Sequence, residues 1–577
     1  MAHHARRMSS PAKDVVMRSK KRSLASRAQG SFGRRLPQFG ASKRTPSGSR
    51  VAQIQHKTVF NNKCEPCLLC GIFWARSSSG TTTPQGAEAA RERVSPEQGP
   101  VTPEAIAELG RALGVKDPEG SMLRLAEVME RSTSLFRNSP DFAIPEVRFT
   151  QIADGRFPYY VTRQVNRRGV VVVRDVVPAA TACRWRDDLM EYLEANGASA
   201  GMPGVRDVFW SKAQAQAREH VGVMQTLAAL NRLWKPDPAA PADLTKSLTF
   251  CDRAFVGKPA CSSLLGLTGD RARAIMAGGP GASQRWLCPH LSKAYIDIFE
   301  GRWEDWDPFK AGPRMKSANA AMTPARVPAG SLTTPRQPFR PFQGYVSFGH
   351  WGENGNVHVV PMMRVATAFM LLRPFMPDVL EAMTNEEMQG RGQWLCGAGE
   401  GPELVLTPKW HQPILNALVR LPPLSPGDAV FWHADTIHCE ARNGSGIGKV
   451  IRNGIGNEIG NQGGGAGGGS ARADSGTEAF AGIHVSCLPV CEANSTYVRA
   501  QREAFRNGLP PPAFTGGGEG RAGRGSSRKE ATFVGRASRE ELTRGGRRAM
   551  GLWRYSKEHR NPALEVHHKV LDISYGW

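Results

Sequence analysis

Two histidines near the end of one predicted strand are the residues of this sequence best suited to chemistry. His433 and His438 lie in LSPGDAVFWHADTIHCE, where a Pro-Gly-Asp turn precedes a strand through Ala429–Trp432 and a polar turn leads to His438. Imidazole binds transition metals and exchanges protons near neutral pH. His433 is the less favoured of the two, because it ends the strand before the turn. The alternative for either residue is a hydrogen-bonded structural histidine.

A cysteine cluster and an acidic cluster also have spacing that suits binding. The segment CEPCLLC places Cys64, Cys67 and Cys70 at metal-ligand spacing, with His56 as the nearest candidate for a fourth ligand. Structural zinc sites close with four ligands, so the pattern does not favour zinc. The eleven cysteines are scattered and no secretory signal is visible, which indicates reduced thiols inside the cell.

The segment IFEGRWEDWDPF contains four carboxylates beside two tryptophans. They are Glu300, Glu304, Asp305 and Asp307, with Trp303 and Trp306. The cluster suits a metal or substrate, but a packed aromatic corner held by salt bridges is the favoured interpretation.

The elements that must position these groups are short strands that follow a helical preface. Val170–Val173 is an apolar β-branched run typical of a buried strand, and a helix is predicted after Pro178. From Leu248 onward short apolar runs alternate with turn signals, which favours a β-sandwich or barrel with helices packed outside. Residues 444–482 are so rich in Gly, Asn and Ser that we expect a flexible insertion. Its glycines (Gly454, Gly456 and Gly460) mimic a dinucleotide-binding pattern without the strand and helix that pattern needs.

The positive charge of the chain is concentrated in its first segment. Residues 1–64 hold fifteen Lys and Arg and one acid, Asp14, so +14 of the formal +23 lies there. This Arg- and Ser-rich composition is typical of an organelle transit peptide, with a nucleic-acid-binding arm or an extension without an address as alternatives. Nucleic acid is disfavoured because few aromatic residues accompany the basic ones. No apolar run approaches the length of a membrane helix, so we expect a soluble intracellular protein, cytoplasmic unless the tail directs it to an organelle.

Several segments together resemble a known family. RRGVVVVRDVVP, LTFCDR, IFEGRWEDWDPF, FRPFQGYVS, PGDAVFWHADTIHCE and PVCEANSTYVRAQREAF are similar to the domain-of-unknown-function family number 1479 of fungi and bacteria. The similarity covers roughly residues 145–555. That family resembles the phytanoyl-CoA hydroxylase group of iron and 2-oxoglutarate oxygenases. The resemblance implies a double-stranded β-helix (jelly-roll) core with flanking helices, in the α+β or mainly β class.

The resemblance implies an Fe(II) site made of two histidines and one carboxylate, with 2-oxoglutarate on the open face. His438 stands where the distal histidine is expected. The H-x-D motif should lie between LTFCDR and IFEGRW, but Ile275 and Ala277 stand where His and Asp would be. Three explanations stay open: a pseudo-oxygenase, a local frameshift or misread splice junction, or substitution by other residues. The candidates for substitution are His290, Asp270, His350 and His358.

A basic residue on the strand after the distal histidine usually holds the far carboxylate of 2-oxoglutarate. Lys449 and Arg452 have about the right spacing but fall inside the Gly-rich insertion, and Ile483–Val490, where the strand pattern resumes, has no Lys or Arg. Arg364 and Arg340 are alternatives that we place on neighbouring strands.

We therefore expect an oxygenase-like protein with an unknown small-molecule substrate. If active, it would hydroxylate a C–H bond while 2-oxoglutarate is oxidatively decarboxylated. The alternative is a non-catalytic jelly-roll binding or scaffold protein. The predicted organisation is a basic tail (1–100), a helical preface (101–144), the oxygenase-like domain (145–555) and a C-terminal tail (556–577).

Overall fold

The computed structural model describes most of the residues between 103 and 553, all of them in one compact unit. The described ranges are 103–198, 204–238, 242–257, 272–276, 294–312, 338–351, 357–382, 403–406, 408–440, 480–514 and 530–553. The predicted basic tail, the Gly-rich insertion, the CEPCLLC segment and the C-terminal tail lie outside these ranges.

Helices surround two main sheets. The α-helices are α1 (Pro103–Leu113), α2 (Pro118–Asn138), α3 (Tyr159–Arg168), α4 (Ala179–Ala195), α5 (Lys212–Glu219), α6 (Val221–Asn231), α7 (Ile296–Phe299), α8 (Met363–Leu372), α9 (Pro377–Ala382), α10 (Pro408–Asn416), α11 (Glu492–Arg506) and α12 (Arg544–Ala549). The strands are β1 (Glu146–Arg148), β2 (Val170–Arg174), β3 (Gly204–Arg206), β4 (Asp243–Ser247), β5 (Ala254–Gly257), β6 (Ala272–Met276), β7 (Phe342–Ser347), β8 (Val357–Val359), β9 (Glu403–Leu406), β10 (Val419–Arg420), β11 (Ala429–His433), β12 (Ile437–Glu440), β13 (Phe480–Ser486) and β14 (Pro489–Val490).

The strands form a mixed α/β architecture with two large sheets. A seven-stranded sheet has the order β1-β2-β11-β7-β13-β5-β3, and a five-stranded sheet has the order β10-β8-β12-β6-β9. Strands β14 and β4 form a separate pair. Strands β1 and β2 pair in parallel, and the other described strand pairs of the two large sheets are antiparallel.

The predicted buried strand at Val170–Val173 is confirmed, and its position explains the composition. Strand β2 lies between β1 and β11, and all four valines are fully buried. Val171 and Val173 face a core shared with α4 and α6, whereas Val170 and Val172 face the five-stranded sheet. A strand covered on both faces has no polar side, which is why this run shows no alternation.

The space between the two sheets is a second apolar core. Tyr345, Val430 and Trp432 of the seven-stranded sheet share it with Val357 and Val359 of the five-stranded sheet. Helices α2 and α8 extend this core with Leu125, Met129, Phe136, Ala366 and Phe369. The inter-sheet space is therefore where a side chain from one sheet meets the other.

Among the described residues, no helix is both long and apolar enough to cross a membrane.

Candidate functional site

The imidazole of His438 lies in the space between the two sheets. His438 is on β12 of the five-stranded sheet, yet its ring centroid is 4.8 Å from that of Trp432 on β11 of the other sheet. Only 6% of His438 is exposed. The side chain of His438 therefore points from the five-stranded sheet toward the seven-stranded sheet.

Its hydrogen bond leaves His438 ready to act as a neutral ligand. The Nδ1 atom is 3.0 Å from the carbonyl oxygen of Thr436, and a carbonyl only accepts, so Nδ1 carries the proton. Nε2 then carries the lone pair that a metal or a donor would meet. Burial lowers the pKa of His438 to about 4, and the bond to Thr436 only partly opposes this. The ring is therefore uncharged at neutral pH.

The neighbouring strand does not supply a second ligand at the matching position. Strand β12 pairs with β6, and Ile275 is the register partner of His438. An isoleucine side chain has no atom that binds a metal. Ala277, at the other predicted ligand position, lies one residue beyond the described strand.

His433 has a structural environment. Its ring stacks on Trp234 at 4.9 Å and 9°, and Phe309 and Phe342 pack against it. Its Nδ1 accepts a hydrogen bond from the amide of Asp435 at 3.1 Å. A ring enclosed by three aromatic rings has little room for a ligand, so this packing suits a structural histidine.

The other substitute ligands are not assembled beside His438 within the described residues. His358 is buried on β8, but it pairs with Cys439, whereas Val359 pairs with His438. Side chains alternate between the faces of a strand, so His358 and His438 face opposite sides of the sheet. His350 is exposed after β7, and Asp270 and His290 lie outside the described residues.

A second histidine, which the sequence did not single out, lies on the adjacent sheet. His484 on β13 contacts Tyr345 at 4.3 Å and Phe255 at 5.5 Å between ring centroids. Its Nε2 is buried and has no hydrogen-bond partner among the described atoms. Burial lowers the pKa of His484 to about 4, and the nearby His438, Arg253 and Arg340 lower it further, against the opposing effect of Asp252. Little in the sequence marks His484 as functional, since GIHVS has the pattern of a short strand in which His484 and Ser486 alternate with apolar residues.

Of the basic candidates that the structure describes, Arg340 is the one within electrostatic reach of His484. Arg340 precedes β7. Arg364 was expected on a strand, but it lies on α8, where it donates to the carbonyl of Trp306. The segment MRVATAFMLL is rich in Ala, Met and Leu, which favour a helix. Lys449 and Arg452 lie outside the described residues.

The acidic cluster is a network of ion pairs, as its favoured interpretation predicted. Arg302 pairs with Asp297, Glu300 and Asp305. Glu304 pairs with Arg124 and Asp307 with Lys235, while Trp303 and Trp306 are buried. Each of these carboxylates thus has a cationic partner, and Arg302 serves three of them, which suits a structural corner.

The described residues do not fit the iron site that the resemblance implied. They contain no group of three or more His, Cys, Asp and Glu side chains able to hold a metal. His438 offers one imidazole with a free lone pair, opposite an isoleucine. A stable Fe(II) site needs two further ligands in this geometry.

Comparisons with known proteins give a consistent set of relatives. A profile of the Gig2-like family matches residues 103–552. The uncharacterized protein YbiU of Escherichia coli (strain K12) is 26% identical over 433 residues, covering 71% of this chain and 86% of YbiU.

Two solved structures share the fold. The crystal structure of GlcNAc Inducible Gene 2, GIG2 (DUF1479), from Candida albicans has a TM-score of 0.62 at 20% identity, covering 82% of this chain and 94% of that chain. A Salmonella typhimurium LT2 structure named "Putative Oxidoreductase" has a TM-score of 0.58 at 24% identity, covering 78% of this chain and 98% of that one.

Proposed function

The chain belongs to the Gig2-like family, DUF1479, and from this premise we propose a small-molecule-binding barrel of the iron and 2-oxoglutarate oxygenase type. We further propose that the barrel, with the residues of this sequence, binds its ligand without retaining iron. The observation that carries this proposal is the pairing of the inward-facing His438 with Ile275.

The path of the chain between the sheets supports a double-stranded β-helix. Strands β5, β7, β11 and β13 belong to the seven-stranded sheet, and β6, β8, β10 and β12 belong to the five-stranded one. The chain therefore crosses between sheets at most of these connections, as it does in jelly rolls built from two four-stranded sheets. Strands β6 and β12 are neighbours, so ligands from the two would meet at one point.

A gain-of-binding experiment tests the proposal. In Ile275→His combined with Ala277→Asp, two ligands would join His438 on adjacent strands. We expect this double variant to bind Co(II) at about one equivalent with a new visible absorption band, and to lose the band when His438→Ala is added. Co(II) serves as a spectroscopic probe for a site of histidine and carboxylate ligands.

The matched control shifts the same two side chains to the other face of β6. Ala274→His combined with Met276→Asp adds the same groups, but alternate residues of a strand face opposite sides. This control should bind no stoichiometric Co(II). Equal binding by both double variants, or binding that is independent of His438, would contradict the proposed barrel.

A catalytic oxygenase is the second candidate. It is favoured by the similar Salmonella structure, which is named as an oxidoreductase. Sequencing the transcript across codons 254–277 separates the two candidates. An alternative frame that encodes His-x-Asp-Gly-Gly would favour the enzyme, whereas a transcript that encodes Ile275 and Ala277 favours the binding protein.

A further inference from the structure

A cavity lies where the C-terminal ends of two helices meet at the edge of the five-stranded sheet. It has a volume of about 190 Å³ and lies between the last turns of α2 and the turn from α10 to β10. Phe136, Leu415 and Ala417 form its apolar floor, and each of them is at most 4% exposed. These three residues belong to the core between the two sheets, so the cavity is a recess in the packed part of the protein.

The cavity is separate from the site of His438. Val419 on β10 lines the cavity, and its register partner is Val359 on β8. Val359 is in turn the register partner of His438 on β12. Adjacent strands are about 4.8 Å apart, so two strand spacings, or about 10 Å, separate the cavity wall from the backbone of His438. A ligand in this cavity would therefore be additional to one bound between the sheets.

The size and the apolar floor of the cavity fit a single aromatic ring. An apolar cavity of about 150 Å³ is large enough to hold benzene, so the larger volume leaves room for one small substituent. The Phe136 ring offers a contact that aromatic ligands prefer, because aromatic pairs attract each other beyond the effect of buried area. The guanidinium of Arg168 lies over the Phe136 ring, 4.5 Å from its centroid, and holds this ring in place.

The two helix ends supply hydrogen-bond acceptors. Phe136 lies in the last turn of α2, and Asn416 is the last residue of α10. The last carbonyl groups of a helix have no partner within it, and they give the helix end a partial negative charge. The residue whose amide would continue the ladder to the carbonyl of Phe136 is Pro140, which lines the cavity and has no N–H. The helix ends are therefore able to accept hydrogen bonds from a ligand.

The ligand that matches this lining is uncharged. Oδ1 of Asn416 accepts a hydrogen bond from Gln412 at 2.7 Å, so the Asn416 amide group is left with its donor side. A hydroxyl group can donate to a helix-end carbonyl and accept from this amide. The charge of Arg137 in the lining disfavours a cation, and the partial negative charge of two helix ends disfavours an anion. Either charge would also be desolvated over the apolar floor, which is unfavourable.

We propose that this cavity binds an uncharged, hydroxylated single aromatic ring, of which phenol is the simplest example. The ring packs on the side chains of Phe136 and Leu415, and the hydroxyl group lies toward the ends of α2 and α10. The site goes beyond the proposed ligand of the barrel, because none of its residues faces His438 and no metal takes part.

The test titrates the full chain with phenol, benzoate and benzylamine and measures binding by calorimetry. We expect saturable binding of phenol to one site per chain. The two charged compounds should bind at least about 10-fold more weakly, because each would bury a charge. Ala417→Leu extends a side chain into the cavity and should abolish phenol binding. Ala180→Leu is the matched control, since it adds the same side chain at an exposed position of α4, and it should bind phenol like the wild type.

Leu418→Phe fills the same cavity from a partly exposed position, and it decides the outcome if Ala417→Leu does not fold. Absence of saturable phenol binding up to about 10 mM, a weak limit for so small a ligand, would overturn the inference. So would equal binding of benzoate or benzylamine, or unchanged phenol binding by a folded cavity variant. His438→Ala should bind phenol like the wild type, and none of these results alters the Co(II) outcome for the β6 double variants.

Discussion

At the scale of single residues, burial sets the protonation state of two imidazoles. His438 and His484 are both held neutral, because burial lowers the pKa of each to about 4. The two rings differ in their partners, since Nδ1 of His438 is bonded to Thr436 and Nε2 of His484 is unbonded. Neutral imidazoles with available nitrogen atoms can accept or donate without the cost of a buried charge.

The lowered pKa of His484 predicts a loss of stability in acid. An unfolded histidine takes up a proton near pH 6.5, whereas the folded ring does so near pH 4, so the unfolded state binds more protons between these values. Stability should therefore fall as pH drops through this window. In His484→Gln, the free energy of unfolding lost as the pH falls from about 6.5 to about 4 should be smaller than in the wild type by roughly 2 kcal/mol. Urea unfolding at a series of pH values measures this loss. An unchanged slope would show that His484 titrates with the same pKa in the folded and unfolded states.

Among the elements, the centre of the seven-stranded sheet leaves no room for a side chain at Gly344. Gly344 of β7 lies opposite Phe431 of β11, and a Cβ at this position would collide with the carbonyl oxygen of Val430. Strand β7 holds β11 and β13 together, so a displacement here moves the strands on which Trp432 and His484 lie. The site between the sheets therefore depends on a residue without a side chain.

We expect Gly344→Ala to destabilise the protein by roughly 2 kcal/mol or more, since the strand must shift to admit a methyl group. Gly545→Ala in α12 is the matched control, because the new Cβ would meet only Thr543 Oγ1 at 3.7 Å. The control should change stability by less than about 1 kcal/mol. Thermal and urea unfolding of both variants give the comparison, and equal effects would show that the sheet accommodates the methyl group.

The pattern of apolar residues predicted much of this architecture, because short buried segments consist almost entirely of apolar side chains. The buried strand at Val170–Val173, the helix after Pro178 and the strand before His438 are all present. Arg364 was misplaced, because a polar residue within an apolar run fits a strand as well as a helix when packing is unknown. Arg340 and His484 could not be paired from sequence, since 144 positions separate them and only the sheet order brings them together.

At the scale of the whole molecule, charge and fold are separate features. The first 64 residues carry most of the net charge, and the family match begins only at residue 103. Deleting residues 1–64 should leave the melting temperature unchanged. Any salt-dependent DNA binding of the full chain should disappear with the deletion, because phosphate binding follows the number of cations. Fluorescence anisotropy with labelled duplex DNA at several salt concentrations measures this, and binding retained by the shortened chain would place a basic surface on the folded part.

We propose that the space between the two sheets offers iron one imidazole where three ligands are needed. The most direct test is the iron content of the wild-type chain after anaerobic equilibration with Fe(II) and dialysis, beside that of His438→Ala. We predict well under one iron per chain for the wild type and no significant difference in the variant. One tightly held iron per chain in the wild type would contradict this account, and retention of that iron in His438→Ala would place the metal at a different site.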